Sequence, residues 1–170
     1  MSEMTQDLNK DRLRFSKNKL SSNLILLAIA VNALYCVSIY GSDVGNYYYS
    51  LFIGASIVYN LVFMLLAFLS SEGVKSYKPG YAVSAMILGV LQIARIFYIP
   101  MKALKAENPV VGGDSSTVMT GGQFRYVTAC LCISAVLLVC AGTIGIAKTN
   151  TLKKYQQELD EMKREGTGNE

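Results

Sequence analysis

YAVSAMILGVLQIARIFYI, residues 81–99, is long and apolar enough to be read as a membrane-crossing helix, yet it holds Gln92 and Arg95. A crossing helix needs about 20 predominantly apolar residues. Three other stretches meet the same requirement: NLILLAIAVNALYCVSIY over 23–40, YYYSLFIGASIVYNLVFMLLAFL over 47–69 and YVTACLCISAVLLVCAGTIGIA over 126–147. Tyrosines sit at the ends of these stretches, as expected of aromatic side chains at a membrane interface. The expected fold is therefore an all-α integral membrane protein, a four-transmembrane-helix bundle with a cytoplasmic C-terminal helix.

Composition agrees. Hydrophobic residues make up 52% of the 170-residue chain and charged residues only 16%, against about 25% charged in soluble domains. Mean hydropathy is +0.33 despite two polar ends. The first stretch follows 22 polar-rich residues and is not followed by a small-residue cleavage site. It reads as a retained first helix rather than a cleaved signal.

Orientation follows from lysine and arginine in the connections. Twelve fall in residues 1–22, 70–80 and 148–170, and three in the connections 41–46 and 100–125. Both termini are thus expected in the cytoplasm. The chain divides into a basic N-terminal segment 1–22, a transmembrane domain 23–147 with an outer loop 100–125, and a cytoplasmic helix and tail 148–170. The segment 1–22 carries Lys10, Arg12, Arg14, Lys17 and Lys19 beside Leu8, Leu13, Phe15 and Leu20. It is expected to meet the anionic inner leaflet of the lipid bilayer, where each basic residue contributes about 1 kcal/mol. No nucleic-acid partner is expected, because the basic field is small and poor in aromatics.

The chain has no histidine, so the commonest general base and metal ligand is missing. Its four cysteines, Cys36, Cys130, Cys132 and Cys140, all fall in apolar stretches and are expected as buried free thiols. Cys130 and Cys132 are two apart, which points them to different sides of a helix. The glycine-rich part of the outer loop, GGDSSTVMTGG, lacks phosphate-loop spacing. No enzyme activity, cofactor or metal is expected.

Polar groups inside the spans are the candidate functional residues. Asn32 and Asn60 lie within the first and second spans and can bond to each other across the helix pair. Gln92 and Arg95 are three apart and share a face. They extend the small-residue stripe of Ala85 and Gly89, which should point into the bundle and leave Ile93 and Phe97 to lipid. No Asp or Glu lies in any span. Arg95 is five residues before Pro100, about 7 Å along the helix, so snorkelling to the outer interface or a structural anchor is the expected role of its charge, with a contact to a partner subunit and an anion or substrate site as the alternatives. Pairs of small residues, Ser50/Gly54, Ala85/Gly89 and Ala141/Gly145, mark expected packing faces. Beyond the fourth span, Leu152, Tyr155, Leu159 and Met162 repeat at spacings of three and four, a possible cytoplasmic docking face.

The expected function is a non-enzymatic accessory or assembly subunit of a membrane complex, with a protein partner or a homo-oligomer. The alternative is a small oligomeric transporter or channel for an anionic solute. The absence of glycosylation acceptors in the outer connections and the short loops suggest a bacterial cytoplasmic membrane.

Overall fold

The computed structural model describes residues 17–40, 47–98, 100–105 and 119–167. They form five helices: α1 Lys19–Tyr40, α2 Tyr47–Lys75, α3 Pro79–Tyr98, α4 Pro100–Lys105 and α5 Gly121–Thr167. No strand occurs among the described residues. Four candidate spans, Lys19–Ile39, Gly54–Lys75, Pro79–Lys105 and Gly121–Glu161, are long and apolar enough to cross a membrane.

The helices extend beyond the apolar stretches read from sequence. α1 starts at Lys19 rather than residue 23, because Asn18 supplies an N-cap: the Ser21 amide donates to Asn18 Oδ1 at 3.5 Å. α2 runs on to Lys75 rather than stopping near residue 69. Pro100 does not end the third segment, since it opens α4, a first-turn position where its missing N–H is harmless. α5 starts at Gly121, five residues before the expected 126, with Thr120 Oγ1 accepting from the Gln123 amide at 3.2 Å. The expected loop 100–125 is shortened from both ends.

α2 closes with a Schellman turn. The Lys78 amide donates to the Gly73 carbonyl and the Tyr77 amide to the Val74 carbonyl, both at 3.1 Å. That motif requires a left-handed residue at the position of Tyr77, whose φ is 57°. A side chain there costs about 1–2 kcal/mol that glycine avoids. Tyr77→Gly is therefore expected to stabilise the bundle by about 1 kcal/mol and Tyr77→Val to destabilise it. Denaturant titration in detergent measures both.

The four long helices pack as a ring in which α1 touches α2 and α5, and α3 touches α2 and α5. Bridging hydrogen bonds fix their directions. Ser22 pairs with Ser71 and Asn32 with Asn60, so α1 and α2 are antiparallel. Ser70 pairs with Ser84 across α2 and α3. Ser134 Oγ donates to the Ala28 carbonyl and Gln123 Nε2 to the Ser38 carbonyl, so α5 runs against α1. The start of α1, the α2–α3 turn and Lys148 of α5 meet at one end, where the Asn18 amide donates to the Lys75 carbonyl and Lys148 Nζ to Asn18 Oδ1.

Close packing is concentrated between α3 and α5, where small residues face each other. A Cβ on Gly89 would stand 2.9 Å from Val139 Cγ2 and 3.1 Å from the Ala135 carbonyl oxygen. One on Gly142 would meet the Met86 side chain and the Ala82 carbonyl oxygen, the latter at 2.8 Å. Such backbone approach lets two helices pack closely over small residues. Of the expected packing pairs, Ala85/Gly89 and Ala141/Gly145 are buried here, whereas Gly54 is exposed with nothing near it. The side chain of Ser50 lies outside the described set.

Two buried apolar clusters stack along the bundle. One, near the α2–α3 turn, contains Ile25, Phe63, Val74, Leu88 and Leu138. The other contains Tyr35, Ile39, Val127 and Leu131. Large apolar side chains also cover the outside, including Val37, Val58, Leu61, Val90, Phe97 and Val136.

Candidate functional site

Between the two apolar clusters lies a layer of buried polar side chains centred on Arg95. α3 turns Ala82, Ala85, Leu88, Gly89, Gln92 and Arg95 inward, the 3.6-residue periodicity placing them on one stripe. Gln92 is fully buried and Arg95 is only 5% exposed. Of the two roles expected for Arg95, snorkelling and a structural anchor, the structure corrects the first: the guanidinium points across the bundle rather than to its surface. The reason is a better-matched set of acceptors inside, which the three helices bring to the same depth.

The bonds form a directional network. Gln92 Nε2 donates to Asn32 Oδ1 at 3.0 Å. Asn32 Nδ2 donates to Asn60 Oδ1 at 3.2 Å. Asn60 Nδ2 donates to the Ser56 carbonyl one turn back on α2 at 2.9 Å. Arg95 Nη1 donates to Asn60 Oδ1 at 2.7 Å and to Asn32 Oδ1 at 3.5 Å, and Nη2 to Ser56 Oγ at 3.4 Å. Both asparagine carbonyl oxygens thus accept twice, which uses their two lone pairs. The positive charge also lies over two rings, 4.1 Å from the Tyr35 centroid and 5.0 Å from that of Tyr59, an attraction worth up to about 2 kcal/mol when desolvated.

All four polar candidates read within the apolar stretches, Asn32, Asn60, Gln92 and Arg95, come together. Sequence reasoning missed Ser56, Tyr35 and Tyr59. The first sits one turn before Asn60 on α2, and Tyr35 lies three residues after Asn32 on α1, so helical spacing from the asparagines could have found them. None of these named partners carries a negative charge, and every one of them is a neutral acceptor or a ring face. Among the described residues, Arg95 Nε and Gln92 Oε1 are buried without a hydrogen-bond partner. Asp43 and Asp114, two loop carboxylates, lie outside the described residues.

A second set of polar contacts ties the bundle nearer the α2–α3 turn. Ser22 and Ser71 hydroxyls are 2.8 Å apart, and Ser71 Oγ also donates to the Ser22 carbonyl at 3.2 Å. These serines are short, neutral and common in apolar helices, so nothing in the sequence singled them out.

The cysteines divide. Cys130 is buried and Cys36 half-buried, but Cys132 and Cys140 are exposed on the outer face, which corrects the expectation of four buried thiols. The opposite fates of Cys130 and Cys132 follow from their two-residue spacing. No group of three metal-ligating side chains occurs among the described residues.

The docking candidates read beyond the fourth apolar stretch are spread along the end of α5. Tyr155 is buried at 8% exposure, while Leu152 and Leu159 are half-buried. The side chain of Met162 lies outside the described set.

No protein-family model matches the chain, no curated protein matches its sequence, and no solved structure matches its fold.

Proposed function

We propose that this chain is an integral protein of a bacterial cytoplasmic membrane, with both termini in the cytoplasm, that works as a non-enzymatic accessory or assembly subunit. The single observation that carries the assembly role is α5. It is 47 residues long, about 70 Å at 1.5 Å per residue, more than twice the ~30 Å hydrocarbon core. It runs past Lys148, which donates to Asn18 at one end of the bundle, and continues through Lys153, Lys154, Glu158 and Asp160 as one helix, with Tyr155 on its buried side. A rigid arm of this kind presents a charged surface, with Leu152 and Leu159 along it, to a protein outside the bilayer.

Membrane insertion is supported by the apolar outer surface and by α3, where Lys78 lies over the Tyr81 ring at one end and Lys102 over Tyr98 at the other. Tyr81 and Tyr98 are about 26 Å apart along the helix, close to the thickness to be crossed. The cytoplasmic placement of both ends is supported by the lysine and arginine distribution and by the meeting of Asn18 with Lys148. A C-terminal reporter that works only in the cytoplasm is expected. Activity outside would overturn the orientation.

The assembly role is tested by purifying the full chain and a chain ending at Asn150 in mild detergent. A stoichiometric partner is expected with the full chain and is expected to be lost with the shortened one. Recovery of the full chain without any partner in several mild detergents would overturn it. The inward-facing Arg95 favours a second reading, an oligomeric transporter or channel for an anionic solute. Anion flux in liposomes, abolished by Arg95→Gln, is the result that reading requires.

A further inference from the structure

A buried guanidinium keeps its charge, and water-free surroundings make an uncompensated charge expensive by several kcal/mol. Arg95 is 5% exposed, and its named partners, Asn32, Asn60, Ser56 and two tyrosine rings, are all neutral. They use both terminal nitrogens and leave Nε–H, while Gln92, three residues earlier on the same face, leaves Oε1. The amide orientation of Gln92 is fixed from the other side. Its Nε2 donates to Asn32 Oδ1, so exchanging its nitrogen and oxygen would set two carbonyl oxygens against each other. An unpaired donor on a cation and an unpaired acceptor therefore lie within one helical turn in the interior of the bundle. Side chains at this spacing are neighbours on one helix face, so the two unmet atoms belong to adjacent side chains.

We propose that the Arg95 centre binds a small protonated oxyanion, with Arg95 Nε–H donating to a charged oxygen and Gln92 Oε1 accepting from the ligand's O–H. Hydrogen phosphate, bicarbonate and the phosphate monoester head of phosphatidic acid share this chemistry. A simple halide satisfies Arg95 but offers no donor to Gln92. A water molecule satisfies both atoms but brings no negative charge. The proposal goes beyond the assembly role and stands whether or not a protein partner is found, since binding requires neither a partner nor transport.

The test is thermal unfolding of the full-length protein. In lipid-free detergent the probes are inorganic phosphate and bicarbonate, with chloride at equal ionic strength as reference. In nanodiscs of zwitterionic lipid the probe is added phosphatidic acid. A saturable rise in Tm of roughly 5–10 °C is expected at a hundredfold excess over Kd. A rise with the soluble ions identifies a free oxyanion as ligand, and a rise confined to phosphatidic acid identifies a lipid head group. Gln92→Glu places a carboxylate beside Arg95 from within the chain. It is expected to raise Tm without added anion and to abolish the response. Asp43→Asn and Asp114→Asn are expected to retain both stability and response. No response to any probe overturns the proposal, leaving water or a loop aspartate as the partner. A response that survives unchanged in Gln92→Glu also overturns it.

Discussion

Asn60→Leu is expected to destabilise the bundle by about 3–5 kcal/mol, and a second change, Arg95→Leu, is expected to restore most of that loss. Asn60 is the hub of the buried layer. Its Oδ1 accepts from Arg95 at 2.7 Å and from Asn32 at 3.2 Å, and its Nδ2 donates to the Ser56 carbonyl. An ordinary hydrogen bond between membrane helices contributes only about 0.6 kcal/mol, so the two that Asn60 makes to other helices, with its bond to Ser56 on its own, do not reach the expected loss. The remainder comes from leaving a buried guanidinium without its shortest acceptor. Removing the charge removes that penalty, because an apolar side chain of similar bulk is often tolerated where a buried charge stood. The cycle is read by unfolding titration of the wild type, both single variants and the double variant. If the two losses simply add, Arg95 and Asn60 are not coupled and the layer does not exist as described.

The second large effect is expected at Gly142. Gly142→Val should cost about 2–3 kcal/mol, since over-packing a close contact forces backbone to move. The obstruction includes the Ala82 carbonyl oxygen, 2.8 Å from the added Cβ position, and carbonyls of a neighbouring helix cannot rotate away as a side chain tip can. Gly54→Val is the control. Nothing stands within 4 Å of its Cβ position, and the same substitution there is expected to change stability by less than about 0.5 kcal/mol. Equal losses at both positions would mean that helix propensity, rather than the α3–α5 contact, sets the effect.

These two sites also mark how far the sequence could be read. Four apolar stretches of spanning length made the helices legible, and the Ala85–Gly89–Gln92–Arg95 spacing made the inward stripe of α3 legible. The pairing of Asn32 with Asn60 followed from the need of amides for partners in an apolar medium. The direction taken by Arg95 was not legible. Its distance from the outer interface allowed snorkelling, and the decision rested on acceptors from α1 and α2, whose relative depth no local pattern encodes. Gly142 was missed for a related reason. It has no small neighbour four residues away of the kind that marked Ala141 and Gly145, and its importance comes from the rotation of α5 against α3. Helix ends were misplaced where polar caps extend an apolar stretch, as Asn18 and Thr120 do.

Arg95 is held inside the bundle by acceptors on α1 and α2. Solid-state NMR on the full-length protein in lipid bilayers, measuring from the labelled Arg95 guanidinium carbon to the Tyr35 ring, tests it directly. A close contact is expected, near the 4.1 Å between that carbon and the ring centroid. No contact to the Tyr35 ring, with the guanidinium instead in exchange with interfacial water, would contradict it.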